Sequence, residues 1–346
     1  MTTPFDPNAA SAPDSGLFGL PFDLESAAVA VLPVPFAATT SYLRGAQHGP
    51  AAVVEASRQV DLYDHTYGDF WSSGIALCPD DADIARWDAD ATALADRVIA
   101  VGGQVDGDPA LVDALRRVND LCGRLNDRVH ARVSALLAAG KCVATLGGDH
   151  AVPFGAIAAH AERYPGLGIL HLDAHADLRP AYEGFTWSHA SIMGNVLDHI
   201  PGVARIVQVG IRDYSAEERQ RIADSDGRVV TFFDADLAAR LHEGETWRAL
   251  VDGIVAALPP RVYLSFDIDG LEPALCPHTG TPVPGGLGWR EVEALLRGVV
   301  RSGRTIVGLD LVEVAPDPAG NPWDANVGAR LLYKMIGAMM NSQRDA

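Results

Sequence analysis

The sequence predicts an α/β chain in which helices cover both faces of a parallel sheet. Two observations carry that prediction. Short runs that are apolar throughout alternate with segments of helical period, and polar residues interrupt the pattern where the apolar runs end. A strand that is apolar at every position is buried on both sides, and parallel pairing needs a crossover long enough for a helix.

The expected strands are Ala27–Leu32, Cys142–Leu146, Leu167–Leu172, Ile206–Val209, Val229–Phe233, Val262–Phe266 and Thr305–Leu311. Helical spacing covers Ala110–Ala139, Pro153–Arg163, Ala190–Asp198, Ala216–Asp224, Thr246–Ala257, Gly288–Arg301 and Ala325–Met340. Pro79–Asp108 is rich in Asp and Ala with weak periodicity, and reads as a surface excursion. Residues 1–16, rich in Thr, Pro, Asn, Ala and Ser, read as a mobile tail. No Pro/Ser/Gly linker divides the rest, so residues 17–346 read as one domain.

With 346 residues, 48% of them hydrophobic, the chain has enough material for a large core. The net charge of −18, from 45 acids against 27 Lys and Arg, argues against nucleic acid, whose phosphates need a basic face. It suits a cationic substrate. No apolar run is long enough to span a bilayer, so no membrane partner is expected. Cys78, Cys122, Cys142 and Cys276 lie far apart without a CxxC spacing, and no basic segment precedes an apolar run at the start. The expected location is therefore the reducing cytoplasm.

Active sites in such sheets lie beyond the C-terminal strand ends. Gly147-Gly148-Asp149-His150 ends one expected strand and Asp173-Ala174-His175-Ala176-Asp177 another. Asp267-Ile268-Asp269 ends a third and Glu313 a fourth. Residues two apart in extended chain point the same way, so Asp173, His175 and Asp177 are expected on one side. Carboxylates that close repel one another, and a divalent cation relieves the repulsion. Alone, His150 reads more readily as a loop histidine and Asp267-Ile268-Asp269 as acidic surface. Their coincidence with DxHxD at strand ends favours a metal.

His150, Asp173, His175, Asp177, Asp267 and Asp269 make a ligand set too large for one catalytic zinc, which takes about three protein ligands. Four carboxylates balance two divalent cations. Two ions about 3.5–4 Å apart can share a hydroxide nucleophile and polarise the group it attacks. Oxygen-rich ligands with imidazole and no thiolate suit Mn²⁺ first, with Ni²⁺, Co²⁺ or Zn²⁺ behind it.

These segments carry a resemblance. GGDH at Gly147–His150, DAHAD at Asp173–Asp177 and SFDIDGLEP at Ser265–Pro273 resemble the three signatures of the ureohydrolase family, the arginase and agmatinase group. The segment Ser41–Pro50 resembles the family's early GxxxGP loop, and Gly280-Thr281-Pro282 with Gly285-Gly286 its TGTP and GG pair. The resemblance implies a three-layer α/β/α fold around a mainly parallel sheet, a binuclear manganese site, and hydrolysis of a guanidino group to urea and an amine. It also implies that His150, Asp173, Asp177 and Asp267 hold one ion. His175, Asp173, Asp267 and Asp269 hold the other, with Asp173 and Asp267 bridging. Glu313 resembles the carboxylate that pairs with the guanidinium, and a carboxylate there can accept two N–H groups side by side. His189 matches the proton-shuttle histidine by its place after DAHAD. Their structural alternatives are a salt bridge and a helix cap. His160, His171 and His199 read as structural or exposed. A homotrimer or hexamer is implied as well, with a heteromer containing a related chain as an alternative.

Asp177-Leu178-Arg179, Tyr182-Glu183-Gly184 and Ser188-His189-Ala190 look most like the agmatinase branch. Arg179 is placed either to bind a substrate carboxylate or to neutralise Glu183 or surrounding carboxylates. Three departures bear on the substrate. Glu272 replaces the Asp of LDP, His278 replaces the Gly of PGTGTP, and Met193-Gly194-Asn195 lacks an Arg often found after the shuttle histidine. Arginine, a guanidino acid, a small substituted guanidine and a biguanide therefore stand beside agmatine as expected substrates. A metal-dependent deacetylase is the rival enzyme class. A single-zinc deacetylase would not need both His150 and Asp269.

Overall fold

The computed structural model describes residues 5–12 and 15–344. Among these, eight strands form one sheet: β1 (Val29–Val34), β2 (Ile75–Leu77), β3 (Cys142–Gly147), β4 (Leu167–Leu172), β5 (Val203–Ile211), β6 (Val229–Phe233), β7 (Arg261–Asp267) and β8 (Thr305–Val312). Their order across the sheet is β2-β1-β3-β8-β7-β4-β5-β6, and every pairing is parallel. The four strands whose ends carry the predicted ligands, β3, β8, β7 and β4, are consecutive neighbours. Their register keeps the ends level: Leu146 pairs with Leu311, Phe266 with Leu311, and Leu172 with Phe266.

The helices are α1 (Gly49–Ser57), α2 (Ala82–Ile99), α3 (Pro109–Ala138), α4 (Phe154–Arg163), α5 (Ile192–His199), α6 (Ala216–Asp224), α7 (Asp234–His242), α8 (Trp247–Ala257), α9 (Trp289–Arg301) and α10 (Trp323–Ser342). Strand side chains alternate between the two helical layers. Val29 and Val31 of β1 join a core with α1, α8, α9 and α10. Ala30, Leu32 and Val34 join another with α2, α3 and α4. Farther along, Ile169 and Ile206 pack with α4, α5 and α6. The expected three-layer α/β/α architecture is the one observed.

Two departures have physical causes. Pro79–Asp108 holds α2 rather than a surface excursion. Its buried face is Ile84, Trp87, Ala91, Ala95 and Val98, and the two alanines give it little apolar contrast. Strand β1 runs two residues later than expected and includes Pro33. That is tolerated because β2 pairs only with Val29–Val31, so Pro33 lies beyond the side where its missing N–H would be needed. The short elements α1, β2 and α7 have no counterpart among the expected ones. Of the expected tail, residues 1–4, 13 and 14 lie outside the described residues, while the Phe5 ring sits edge-on to Trp71.

Candidate active site

The four neighbouring strand ends bring the acidic residues and imidazoles together. Gly148 permits the close approach at β3, since a Cβ there would fall 2.0 Å from the Phe36 carbonyl oxygen. His150 follows, and its Nδ1 lies 2.9 Å from Asp173 Oδ2, 3.1 Å from Asp177 Oδ2 and 3.4 Å from Asp267 Oδ2. His175 Nδ1 lies 3.4 Å from Asp173 Oδ1 and 3.1 Å from Asp269 Oδ2. Asp173 thus faces both histidines, one with each oxygen. Backbone N–H groups aim the carboxylates: His175 donates to Asp173 Oδ1, Ala174 to Asp269 Oδ1 and Asp269 to Asp267 Oδ1. Arg212 stiffens the loop after β7 by donating from Nη2 to the carbonyls of Asp269 and Leu271.

Asp177 reaches the cluster differently from the expectation. Strand β4 stops at Leu172, and Asp177 has φ +52°, so a left-handed turn swings its carboxylate inward rather than extended alternation. His171, expected to serve the strand alone, also touches the cluster. Its Nε2 lies 2.8 Å from Asp173 Oδ2, and its Nδ1 lies 3.1 Å from Gln208 Nε2. Gln208 donates to that nitrogen, so His171 carries its proton on Nε2 and donates to Asp173. Ligand atoms of His150, His171, Asp173 and Asp177 lie within 4.8 Å of one another, as do those of Asp173, His175 and Asp269.

The donor set fits divalent cations. Asp173, Asp177, Asp267 and Asp269 are buried, and their ion-pair partners among the described residues are all histidines. Burial, reinforced by Asp173, pushes the Asp177 carboxyl up to about 7. Burial with Asp269 and Asp173 raises Asp267 well above the usual carboxylate range. Burial pulls the His175 imidazole down, but Asp269 and Asp173 outweigh it and push it up to about 12. Burial is the largest influence on each group, and crowded anionic oxygens without a fixed Lys or Arg among them act on all three beside it. Such a set is satisfied by metal ions.

A cavity of about 160 Å³ opens over the cluster, lined among others by His150, His175, Asp177, Asp267, His189 and Glu313. Glu313 leaves β8 with φ +60°. Its Oε1 accepts from the His150 backbone N–H at 3.0 Å, and its buried Oε2 has no hydrogen-bond partner among the described residues. Burial, with Asp149 nearby, raises its carboxyl well above the usual range. His189 opens the turn before α5, part-buried in the cavity wall. Burial and then His175 and His150 pull its imidazole down to about 4.

The remaining candidates divide. Arg179 lines the cavity, but its Nε lies 3.6 Å from Glu218 Oε2 and its guanidinium stands 5.2 Å over the Tyr182 ring. Of the carboxylates expected around it, the partner is Glu218. Glu183 lies in the tight turn between Tyr182 and Phe185 with φ +50°, outside the cavity lining. His278 is also outside it, with Nδ1 2.9 Å from Asp324 Oδ2 and Nε2 3.4 Å from Asp317. Sequence reasoning missed Asp213, Tyr214 and Glu218 in the lining. Asp213 follows β5 as the other acids follow their strands, so the strand-end rule could have found it. Glu218 carried a capping signature, Ser215-x-x-Glu218.

A parallel α/β sheet with acids and imidazoles clustered at its C-terminal edge defines a protein with a candidate site for divalent cations. Comparison with known proteins narrows the class. The family model described as Arginase family matches residues 27–337. The chain is 36% identical over 317 residues to an N(1)-aminopropylagmatine ureohydrolase of Thermus thermophilus, covering 90% of each. It is 30% identical to agmatinase of Photorhabdus laumondii, covering 90% of this chain and 87% of that protein. The crystal structure of agmatine ureohydrolase of Thermoplasma volcanium superposes with a TM-score of 0.71 at 26% identity, covering 96% of each chain. The chain belongs to the arginase family. It is a ureohydrolase, a hydrolase of amidino C–N bonds.

Proposed function

We propose that the chain hydrolyses a guanidino amine, agmatine or an extended relative of it, to urea and the corresponding amine, with two divalent ions at the sheet edge. Mn²⁺ is the first choice and Ni²⁺ the second. His150, Asp173, Asp177 and Asp267 would hold one ion, and His175, Asp173, Asp267 and Asp269 the other. The observation that carries this reading is the sharing of Asp173, one oxygen 2.9 Å from His150 and the other 3.4 Å from His175.

Bound ions of this kind bring the pKa of water toward about 7 and polarise its target, which a charge-delocalised guanidinium carbon requires. The chain supplies the rest. Glu313 lines the cavity with Oε2 free of hydrogen-bond partners among the described residues while the His150 N–H fixes Oε1, so a guanidinium would meet a carboxylate already oriented. At neutral pH His189 is uncharged, so its ring can take a proton during attack and give it to the departing nitrogen. An amine leaves only after that protonation.

A guanidino amine is favoured over a guanidino acid by the cavity wall. Arg179 is engaged by Glu218 and Tyr182, while the exposed carboxylate of Asp213 stands 4.0 Å from His175 Nε2. The relatives named above as ureohydrolases of agmatine and aminopropylagmatine support the same class. Cytoplasmic location and a homotrimer or hexamer belong to this reading. The test is urea release from agmatine, aminopropylagmatine, arginine, guanidinobutyrate and guanidine with Mn²⁺ or Ni²⁺ supplied separately. Turnover of the two amines at least roughly tenfold above the acids, about 1.4 kcal/mol of discrimination, supports it, and no urea from either amine overturns it.

A further inference from the structure

Behind His150 the sheet holds a second acid that the proposed reaction does not touch. His150 Nε2 lies 3.0 Å from Ser265 Oγ, and Ser265 Oγ lies 3.0 Å from Asp310 Oδ1. Ser265 on β7 and Asp310 on β8 are paired residues of adjacent central strands, and both are fully buried. The Phe266 backbone N–H also donates to Asp310 Oδ1, at 3.3 Å.

The protons in this chain run one way. An ionised carboxylate only accepts, so Ser265 spends its single proton on Asp310. The serine oxygen is then left to accept from His150, which must carry its proton on Nε2. That leaves Nδ1, the nitrogen that faces Asp173, Asp177 and Asp267, as the one whose lone pair is offered to a cation: a proton in the chain alone, a metal ion when one is bound. A lone pair among carboxylate oxygens is repulsive in a protein alone and useful only to a cation.

We propose that Asp310 is a positioning residue that acts through Ser265 to fix the His150 tautomer, so that Nδ1 offers its lone pair to an ion. The proposal rests on the metal reading above. It makes a chemical prediction for Asp310→Asn. The Phe266 N–H keeps the amide oxygen toward Ser265, but without the carboxylate's charge Ser265 is held less firmly as a donor, so it can turn to donate to His150 Nε2 and the ring proton can move to Nδ1, where it blocks the ion. Ser265→Ala removes the link by another route, while Ser265→Thr keeps the hydroxyl. Outer partners of ligating histidines typically contribute about 10–100-fold in metal affinity.

The experiment strips the full-length protein and its variants of metal, then titrates Mn²⁺ against a chromophoric chelator and records the visible spectrum with Co²⁺. Asp310→Asn and Ser265→Ala are expected to weaken one of the two ions by about 10–100-fold. Ser265→Thr should stay close to the parent, and the double variant Ser265→Ala with Asp310→Asn should be no weaker than Ser265→Ala. The Co²⁺ spectrum should change in both single variants. Parental affinity and spectrum in Ser265→Ala and Asp310→Asn, with two ions bound by the parent, overturn the relay alone. Absence of binding by the parent overturns the metal reading and the relay with it. Should Asp310→Asn fail to fold, the Ser265→Ala and Ser265→Thr pair decides, since equal affinities there also overturn the relay.

Discussion

The two ends of the sheet are built from opposite chemistry. At the N-terminal end, Lys141, Arg205, Arg228 and Arg304 precede or open strands and donate to backbone carbonyls: Lys141 to Glu25 and Ala27, Arg205 to Ala257, Arg228 to Leu197 and Arg304 to Leu258. These are long basic side chains, each satisfied by acceptors. Their stems cover apolar surface while their heads close off helix and loop ends. At the C-terminal end the side chains are short, acidic and buried, and their oxygens face one another and histidines. One end settles its own electrostatics, and the other leaves them to be completed by cations. Polar residues at strand ends thus point to function when they crowd without partners and to stability when they pair locally.

The largest expected effect comes from Asp173, which serves both halves of the cluster. Asp173→Ala should lose both ions by metal analysis and reduce urea release to background; retained metal with retained turnover would remove Asp173 from the centre. His189→Ala comes next. It should keep its metal but slow kcat by about 10²–10⁴-fold, and metal loss equal to that of His175→Ala would end the division of roles. Glu313→Gln should cost on the order of 10²-fold in kcat/KM, because a desolvated charge-assisted pair contributes about 2–3 kcal/mol. An unchanged kcat/KM would place the guanidinium elsewhere.

Between the two ends, His160 gives a pH effect. Its Nδ1 is 2.7 Å from the Ala156 carbonyl, and burial pulls the imidazole down to about 4. Because the folded value lies below the unfolded one, the unfolded chain binds more protons between about pH 6.5 and 4, and stability falls as pH falls across that window. His160→Gln should flatten that fall in thermal melts; an identical slope would contradict it. Smallest is Arg205→Met at the opposite end. It should cost about 1 kcal/mol of stability, one hydrogen bond to the Ala257 carbonyl, with kcat unchanged. A drop in kcat would blur the contrast between the ends.

Much of the site was legible because its chemistry is written in residue types at strand ends. His150, Asp173, His175, Asp177, Asp267 and Asp269 could be collected from three short segments before any geometry, and β6 and α6 match their expected limits. The remainder depends on contacts that local sequence does not encode. Helix α2 hides its buried face behind alanines, and β2 is three residues long. His171 acquires its partner from Gln208, on the neighbouring strand. Arg179 looks toward Glu183 in sequence, whereas folding brings it Glu218 from α6. The turn at Asp177 replaces the extended alternation that local reasoning supplies.

The most direct test is a calorimetric titration of Mn²⁺ into the metal-free chain, with urea release followed on the same samples. Two ions bound per chain, with turnover appearing only as the second is taken up, is the predicted result. Full turnover with one ion bound, or with none, would contradict it.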